Sequence, residues 1–345
     1  MSGTRDLTGV ATDASVPGLA HAGRMTTAPS SPRRRPPAAA ILLVPLVVSV
    51  VVALFAWPMA RQEPRDLPVG VAGPAAATDQ LAQKLDAGGF AVDRYPDEAA
   101  ARDAIADRDV YGAFVVEPGG SMTLLTATAA SSRVAQTLTH VADAAPGPAV
   151  HVEDAVPLSP AGTALPSSIF PLILAGTLTG AATIMLASGV LGRVGLLVAG
   201  SALAGAVAAT MTQSWLDILG GHWLANAAVM SLMIMAIAAT VAGLTALLGQ
   251  PGTLIGALTM IFIGNPFSAN SSAPELLPRP VGDIGQLMPP GAGGNLLRST
   301  GYFDGAAAGG HVAVLVVWAL GGLTLLGLSA LRGRRAATVP VPVPA

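Results

Sequence analysis

The side chains that could do chemistry crowd into one stretch of the chain. Asp97, Glu98, Asp103, Asp107 and Asp109 are interleaved with Arg94, Arg102 and Arg108. Paired carboxylates can share general-acid and general-base work. A helix, however, sets Glu98 one turn ahead of Arg102, the spacing of a solvated ion pair, and that reading is the stronger. His151 beside Glu153 and Asp154 is the one cluster with metal-ligand chemistry, and it reads as solvated linker rather than a metal site. Cysteine is absent, so there is no thiol nucleophile, disulfide or thiolate ligand. The single lysine, Lys84, precedes Leu85, whereas a phosphate-binding loop needs Gly-Lys-Ser/Thr, so the chain cannot hold ATP itself. Neither a Gly-x-Ser-x-Gly elbow nor a His-Glu-x-x-His pair occurs. No enzyme, cofactor or bound metal is expected.

The elements that carry these residues belong to a membrane protein. Of 345 residues 52% are hydrophobic and 11% charged, where a soluble chain has about 25% charged. Six apolar stretches run over 38–60, 167–188, 194–213, 226–248, 252–267 and 310–331. A helical crossing needs about 20 such residues; the fifth stretch is the shortest. The spans hold no Asp, Glu or Lys, which argues against an ion relay of the chain's own. Arg33, Arg34, Arg35, Arg193, Arg332, Arg334 and Arg335 flank one side of the spans. With an even number of crossings the positive-inside rule puts both tails in the cytoplasm and residues 61–160 outside, in a multi-pass plasma-membrane protein. The first stretch, leaving through Trp57-Pro58-Met59-Ala60-Arg61, reads as an uncleaved anchor.

Five regions follow. Residues 1–37 have the composition of a disordered cytoplasmic tail, ending in the arginine anchor Arg33-Arg34-Arg35, which is read as membrane-facing and not nucleic-acid-binding. Residues 38–60 are the first span. Residues 61–160 alternate strand and helix signals: strands at 67–72, 90–95, 111–116 and 122–126, helices over 75–87 and after Asp97, and a third helix opened by Ser131 or Ser132. That β-α-β-α-β-β-α order predicts an extracellular α/β domain with its own core. Residues 161–332 hold five spans and an outer loop, 268–309. The segments Ile284/Leu287/Met288 and Leu296/Leu297/Tyr302/Phe303 of that loop are expected on the outer surface. Residues 333–345 are a cytoplasmic tail with Val-Pro repeats.

Small residues recur at helical spacing, Gly176-x-x-x-Gly180 in the second span and Gly200-x-x-x-Ala204-x-x-x-Ala208 in the third, where they would let helix backbones approach closely. Trp57, Trp215 and Trp223 fall at the outer boundary, as an aromatic belt requires. Arg193 is the sole charge of the internal loops, either a partner contact or a membrane anchor.

An anchor span, an outer α/β insert opening on Leu67-Pro68-Val69-Gly70-Val71 and five clustered spans resembles the permease subunits of type-2 ABC exporters and the related phage-infection-protein-like membrane proteins. Tyr111-Gly112-Ala113-Phe114-Val115-Val116-Glu117-Pro118 is similar to a strand and turn of that group. So are Pro274-Glu275-Leu276-Leu277-Pro278, Met288-Pro289-Pro290-Gly291-Ala292 and Asn295-Leu296-Leu297-Arg298 through Tyr302-Phe303. The resemblance implies a permease that exports an amphipathic or lipid-like solute as a homo- or heterodimer, among membrane lipids, driven by a separate cytoplasmic ATPase. One departure is the loop 188–193, six residues where the family's docking loop is expected to meet the ATPase. The alternative is a non-transporting envelope protein whose outer domain binds a partner.

Overall fold

The structure, a computed structural model, describes residues 38–144 and 149–337. The tail 1–37, with Arg33, Arg34 and Arg35, lies outside these residues. The chain divides into two units, Met1–Leu46 and Val47–Ala345, with the boundary inside helix α1 (Ala38–Ala60). The described part of the first unit is the apolar opening of α1. All other elements belong to the second.

After α1 the chain builds a five-stranded sheet. Strand β1 (Leu67–Ala72) leads through α2 (Ala75–Ala87) to β2 (Phe90–Tyr95), then through α3 (Glu98–Ala106) to β3 (Gly112–Val116). A turn gives β4 (Met122–Thr126), and α4 (Thr128–Asp143) leads to β5 (His151–Asp154). The spatial order is β2-β1-β3-β4-β5, parallel throughout except for the β3–β4 hairpin. Alternation along the strands makes two cores. Leu67, Val69, Val71, Phe114 and Leu124 face α2 and α4, which supply Leu85, Val134 and Leu138. Ala72, Ala113, Val115 and Leu125 face α3, which supplies Ala101, Ala104 and Ile105.

Local signals explain the element boundaries. The Asp97 carboxylate accepts the Ala100 N–H at 2.9 Å and caps α3. Ser131 is extended inside α4 (φ −162°, ψ 111°), and its hydroxyl accepts the Val134 N–H at 3.3 Å, so of the two serines expected to open this helix it is Ser131 that caps the main part, after one preliminary turn. Gly73, at φ +126°, lies so close to the Val116 carbonyl that a side chain there has no room. β5 is a strand that the pattern does not announce, because Val152 is the only strongly apolar residue in His-Val-Glu-Asp.

Five helices are long and apolar enough to cross a membrane: Leu42–Ala60, Ala161–Leu186, Gly189–Trp215, Trp223–Leu248 and Ala308–Arg332. They correspond to α1, α5 (Leu165–Leu186), α6 (Gly189–Ala209), α7 (Trp223–Leu248) and α12 (Ala308–Ala337). The chain is thus a largely helical, membrane-embedded protein with a mixed sheet. The stretch read as a fifth span is helical from α8 (Gln250–Leu258) through a π-helical turn, Thr259–Gly264, to α9 (Asn265–Phe267). Gln250-Pro251 and Asn265-Pro266 dilute its apolarity, and at 1.5 Å per residue it reaches only about 27 Å. It nevertheless runs back along α7, Gly252 against Leu244 and Gly256 against Val241, and its Gly264 then meets Pro290.

The hub is α7. Its most apolar window is 72% buried, against 22–33% for α5, α6 and α12, whose outward residues such as Leu178, Leu203 and Val317 are more than two-thirds exposed. Glycines set the approach of its neighbours. A Cβ on Gly176 would stand 2.7 Å from Ile237 Cβ, and one on Gly180 2.5 Å from the Ala238 carbonyl oxygen. On α6 the tight position is Gly205, against Ser231, while Gly200 meets only a Thr179 methyl at 3.2 Å and Ala204 is half-buried. The inward stripe of α6 is Leu197, Ser201, Gly205 and Ala209, one residue beyond the Gly200/Ala204 stripe read from sequence. Several frames of small residues fit so Gly- and Ala-rich a helix, and Leu197 selects the frame by inserting fully between α7 and α12.

Gly322 of α12 lies directly on the Ala239–Thr240 peptide, whereas its neighbour Gly321 faces open space. Gly322→Leu should therefore abolish the monodisperse detergent-extracted protein on size exclusion, and Gly321→Leu should behave as wild type. Gly180→Leu should fail in the same way.

Candidate functional site

The loop 268–309 is largely buried within the protein rather than laid out as surface segments. It folds into α10 (Val281–Gln286) and α11 (Pro289–Tyr302), and α11 is buried on nearly every face, from Pro289 through Gly294 and again at Leu296, Leu297, Arg298, Ser299 and Gly301. Ile284 and Leu287 stay exposed, but Met288, Leu296, Leu297 and Phe303 are buried. The composition that looked like a Pro/Gly loop is what permits this: Gly293 leaves room for Met233 of α7, and Gly294 for the side chain of Asn270. The sheet packs onto the same segment. Ala273 and Leu276 complete the core beneath α2 and α4, and Phe303 completes the core beneath α3. Glu63 and Arg65, just after α1, donate their backbone N–H groups to the carbonyls of Leu276 and Glu275 at 3.1 and 3.0 Å.

Polar side chains meet at this junction. The Arg108 guanidinium donates to the backbone oxygen and Oδ1 of Asn295 at 3.0 and 3.1 Å and stands 5.2 Å over the Phe303 ring. The Tyr111 hydroxyl donates to Glu275 at 3.0 Å. Asn295 in turn donates to Gln286 at 2.5 Å, and Gln286 to the Ser268 carbonyl at 3.0 Å. Burial pushes the Glu275 carboxyl up, against the opposing effects of its own backbone N–H, the Tyr111 hydroxyl and Arg108. Burial likewise pushes the Tyr111 phenol up, with the nearby Glu275 charge adding to it. Arg108 is held below the ordinary guanidinium value by desolvation.

Arg298 is the deepest charge of the junction, with 7% of its surface exposed. It donates to the Asn270 carbonyl, and no carboxylate pairs with it among the described residues. Desolvation, reinforced by repulsion from Arg108, lowers its pKa to about 10, still charged at neutral pH. It lines a cavity of about 430 Å³ between α4 and the start of α5, together with Thr128, Ser132, Gln136, Thr163 and Ser271. A second cavity, about 240 Å³, shares Pro166, Ser167, Asn270 and Ser271 with the first and is also lined by Phe55, Met59 and Pro266. Asn270 Oδ1 is buried without a hydrogen-bond partner.

The residues singled out from sequence lie elsewhere. Helices α5 and α6 are joined by Ala187-Ser188 alone, so the link is two residues rather than the six of 188–193. Arg193 stands in the first turns of α6 and donates to the Ala187 carbonyl at 3.2 Å. Trp57, Trp215 and Trp223 are exposed at the helix ends nearest the sheet. Arg332 is exposed at the far end of α12; Arg334 and Arg335 continue that helix. Arg102 bridges Glu98 and Glu153, each at 2.6 Å, and Asp154 accepts the Thr128 N–H at 3.1 Å, so the acids near His151 hold β5 in place. Among the described residues no cluster of three His, Asp or Glu could hold a metal. Arg298 was missed as a site residue. Its one signal was an arginine among apolar neighbours, Leu296-Leu297-Arg298, with no acid within a helical turn.

Because the native Glu275 pKa lies above its unfolded value, its contribution to stability is full below the ordinary carboxyl range of about 4.3 and is lost as pH rises through the native value. The melting temperature in detergent should therefore fall as pH rises from 4 to 7, and Glu275→Gln should flatten that slope. Leu276→Ala should destabilise the sheet by about 2–5 kcal/mol, measured by denaturation of the intact chain.

Comparison with known protein families, curated proteins and solved structures finds no match to this chain, so its site is read from its own geometry.

Proposed function

We propose that the chain is the permease subunit of an ABC-type exporter that moves an amphipathic or lipid-like solute across the plasma membrane with energy from a separate ATPase. Six crossings, counting 250–267, leave both tails cytoplasmic and the sheet outside. The observation that carries this reading is the pair of adjacent cavities between the sheet and the sheet-proximal ends of α1 and α5, which share Pro166, Ser167, Asn270 and Ser271 and mix polar with apolar lining. The absence of Asp, Glu and Lys from the spans favours an external energy source over proton coupling. Arg193 and Arg332 lie at the end of the helices away from the sheet, in agreement with a cytoplasmic face there.

The envelope-protein reading has one observation in its favour: the two-residue α5–α6 link and the internally bonded Arg193 leave little surface for a docking ATPase.

Affinity purification separates the two. The exporter reading expects a nucleotide-binding ATPase to co-purify with the wild type and to be lost in Arg193→Glu while membrane insertion persists. Recovery of no ATPase, together with no ATP-dependent export from vesicles, would leave the envelope reading in place. For topology, single cysteines at Ser2 and Ala345 should resist an impermeant thiol reagent in intact cells; labelling of either overturns the six-crossing arrangement.

A further inference from the structure

A guanidinium stays charged in a protein, and burying a charge without a counter-ion is costly. Arg298 is buried and lacks a carboxylate partner among the described residues, and its nearest charged neighbour in space, Arg108, is another cation. Glu275, the acid of this junction, is bonded to Tyr111 and biased towards its neutral form. The junction is thus short of negative charge where it is least hydrated. Around Arg298 the cavity is lined by Gln136 and Ser271, whose amide and hydroxyl can donate to an oxyanion, while the Thr128 and Ser132 hydroxyls already donate to Asp154 and to the Thr128 carbonyl.

The adjacent cavity shares Pro166 and Ser167, at the first turn of α5, and reaches Phe55, Met59 and Pro266. Beyond Phe55 the surface of α1 is exposed and apolar, Val52 and Val50 included. A molecule filling both cavities has an anionic head among donors and a tail directed along the outside of a membrane helix.

We propose that this site binds an acidic amphiphile, its carboxylate or phosphate head on Arg298 and its acyl chain past Ser167 onto Phe55 and Met59. The assignment names the cargo class for the exporter reading and rests on that reading for the idea of cargo; binding itself is independent of transport.

The test uses the purified full-length chain in neutral detergent, with binding read by native mass spectrometry and by competition against a fluorescent fatty acid. Three probes are compared: a phosphatidic acid, a diacylglycerol with the same chains, and inorganic phosphate. The acidic lipid should bind roughly tenfold or more tightly than the neutral one, the factor expected of one charge-assisted contact. Arg298→Gln should abolish that preference and Arg298→Lys should retain part of it. Since Arg298→Gln can impair folding, Ser167→Trp offers a second route: it blocks the passage from an exposed position without touching Arg298, and should lose the acidic lipid while keeping the wild-type melting curve. Equal binding of the acidic and neutral lipids, or undiminished preference in both Arg298→Gln and Ser167→Trp, overturns the site. Inorganic phosphate binding as tightly as the lipid overturns the amphiphile. Lipid binding without ATP-driven export would end the exporter reading and spare the site; export with no lipid preference would do the reverse.

Discussion

Helix α11 is the piece on which the other parts close. A 14-residue segment with the composition of a loop is enclosed between a sheet and a helix bundle, and each partner needs it. Met233 of α7 fits the space at Gly293, the 220–221 turn lies against Thr300 and Gly301, and Tyr302 bonds the Ile218 carbonyl. From the other side Arg108 reaches Asn295. Close packing of this kind depends on missing side chains: every Cβ added at Gly291, Gly293 or Gly294 would collide with a neighbour. Polar satisfaction imposes a second requirement, because a helix buried on all sides must find partners for Asn295, Arg298 and Ser299 within the protein.

The electrostatics follow from that enclosure. At a solvated surface Arg108, Arg298 and Glu275 would be ordinary charges. Here desolvation moves both arginines down and the carboxyl up, each towards neutrality, and the arginines remain cations. The sheet also brings ordinary surface pairs, such as Arg102 with Glu98 and Glu153, which are partly exposed and contribute little to stability. The contrast shows that charge matters at the junction and hardly at all along the outer face of α3.

Where the sequence was legible, a strong local signal coincided with the tertiary outcome. Alternating apolar residues marked β1, β2, β3 and β4, Asp97 marked a helix start, and Ser131 marked the real cap inside α4. Long uncharged runs marked five membrane helices. Legibility failed where burial arises from non-local neighbours. His-Val-Glu-Asp becomes β5 because β4 presents an edge and Arg102 and Thr128 bind its acids. Leu296 and Leu297 look like a surface-seeking pair until the bundle helices α5, α7 and α12 cover them. On α6 the fully buried stripe lies one residue, about 100° of helix, beyond Gly200 and Ala204, which pack against Thr179 and the bundle core less deeply. The isolation of Arg298 appears only when the nearby acids are seen to be engaged elsewhere.

The two backbone hydrogen bonds from Glu63 and Arg65 to the 275–276 turn have a mechanical meaning. They tie the exit of α1 to the segment that plugs the underside of the sheet, so the sheet has no free stalk about which to swing. The geometry is that of a linkage rather than a hinge: one short turn joins the exit of α1, the core of the sheet at Leu276 and the segment that leads on to α11.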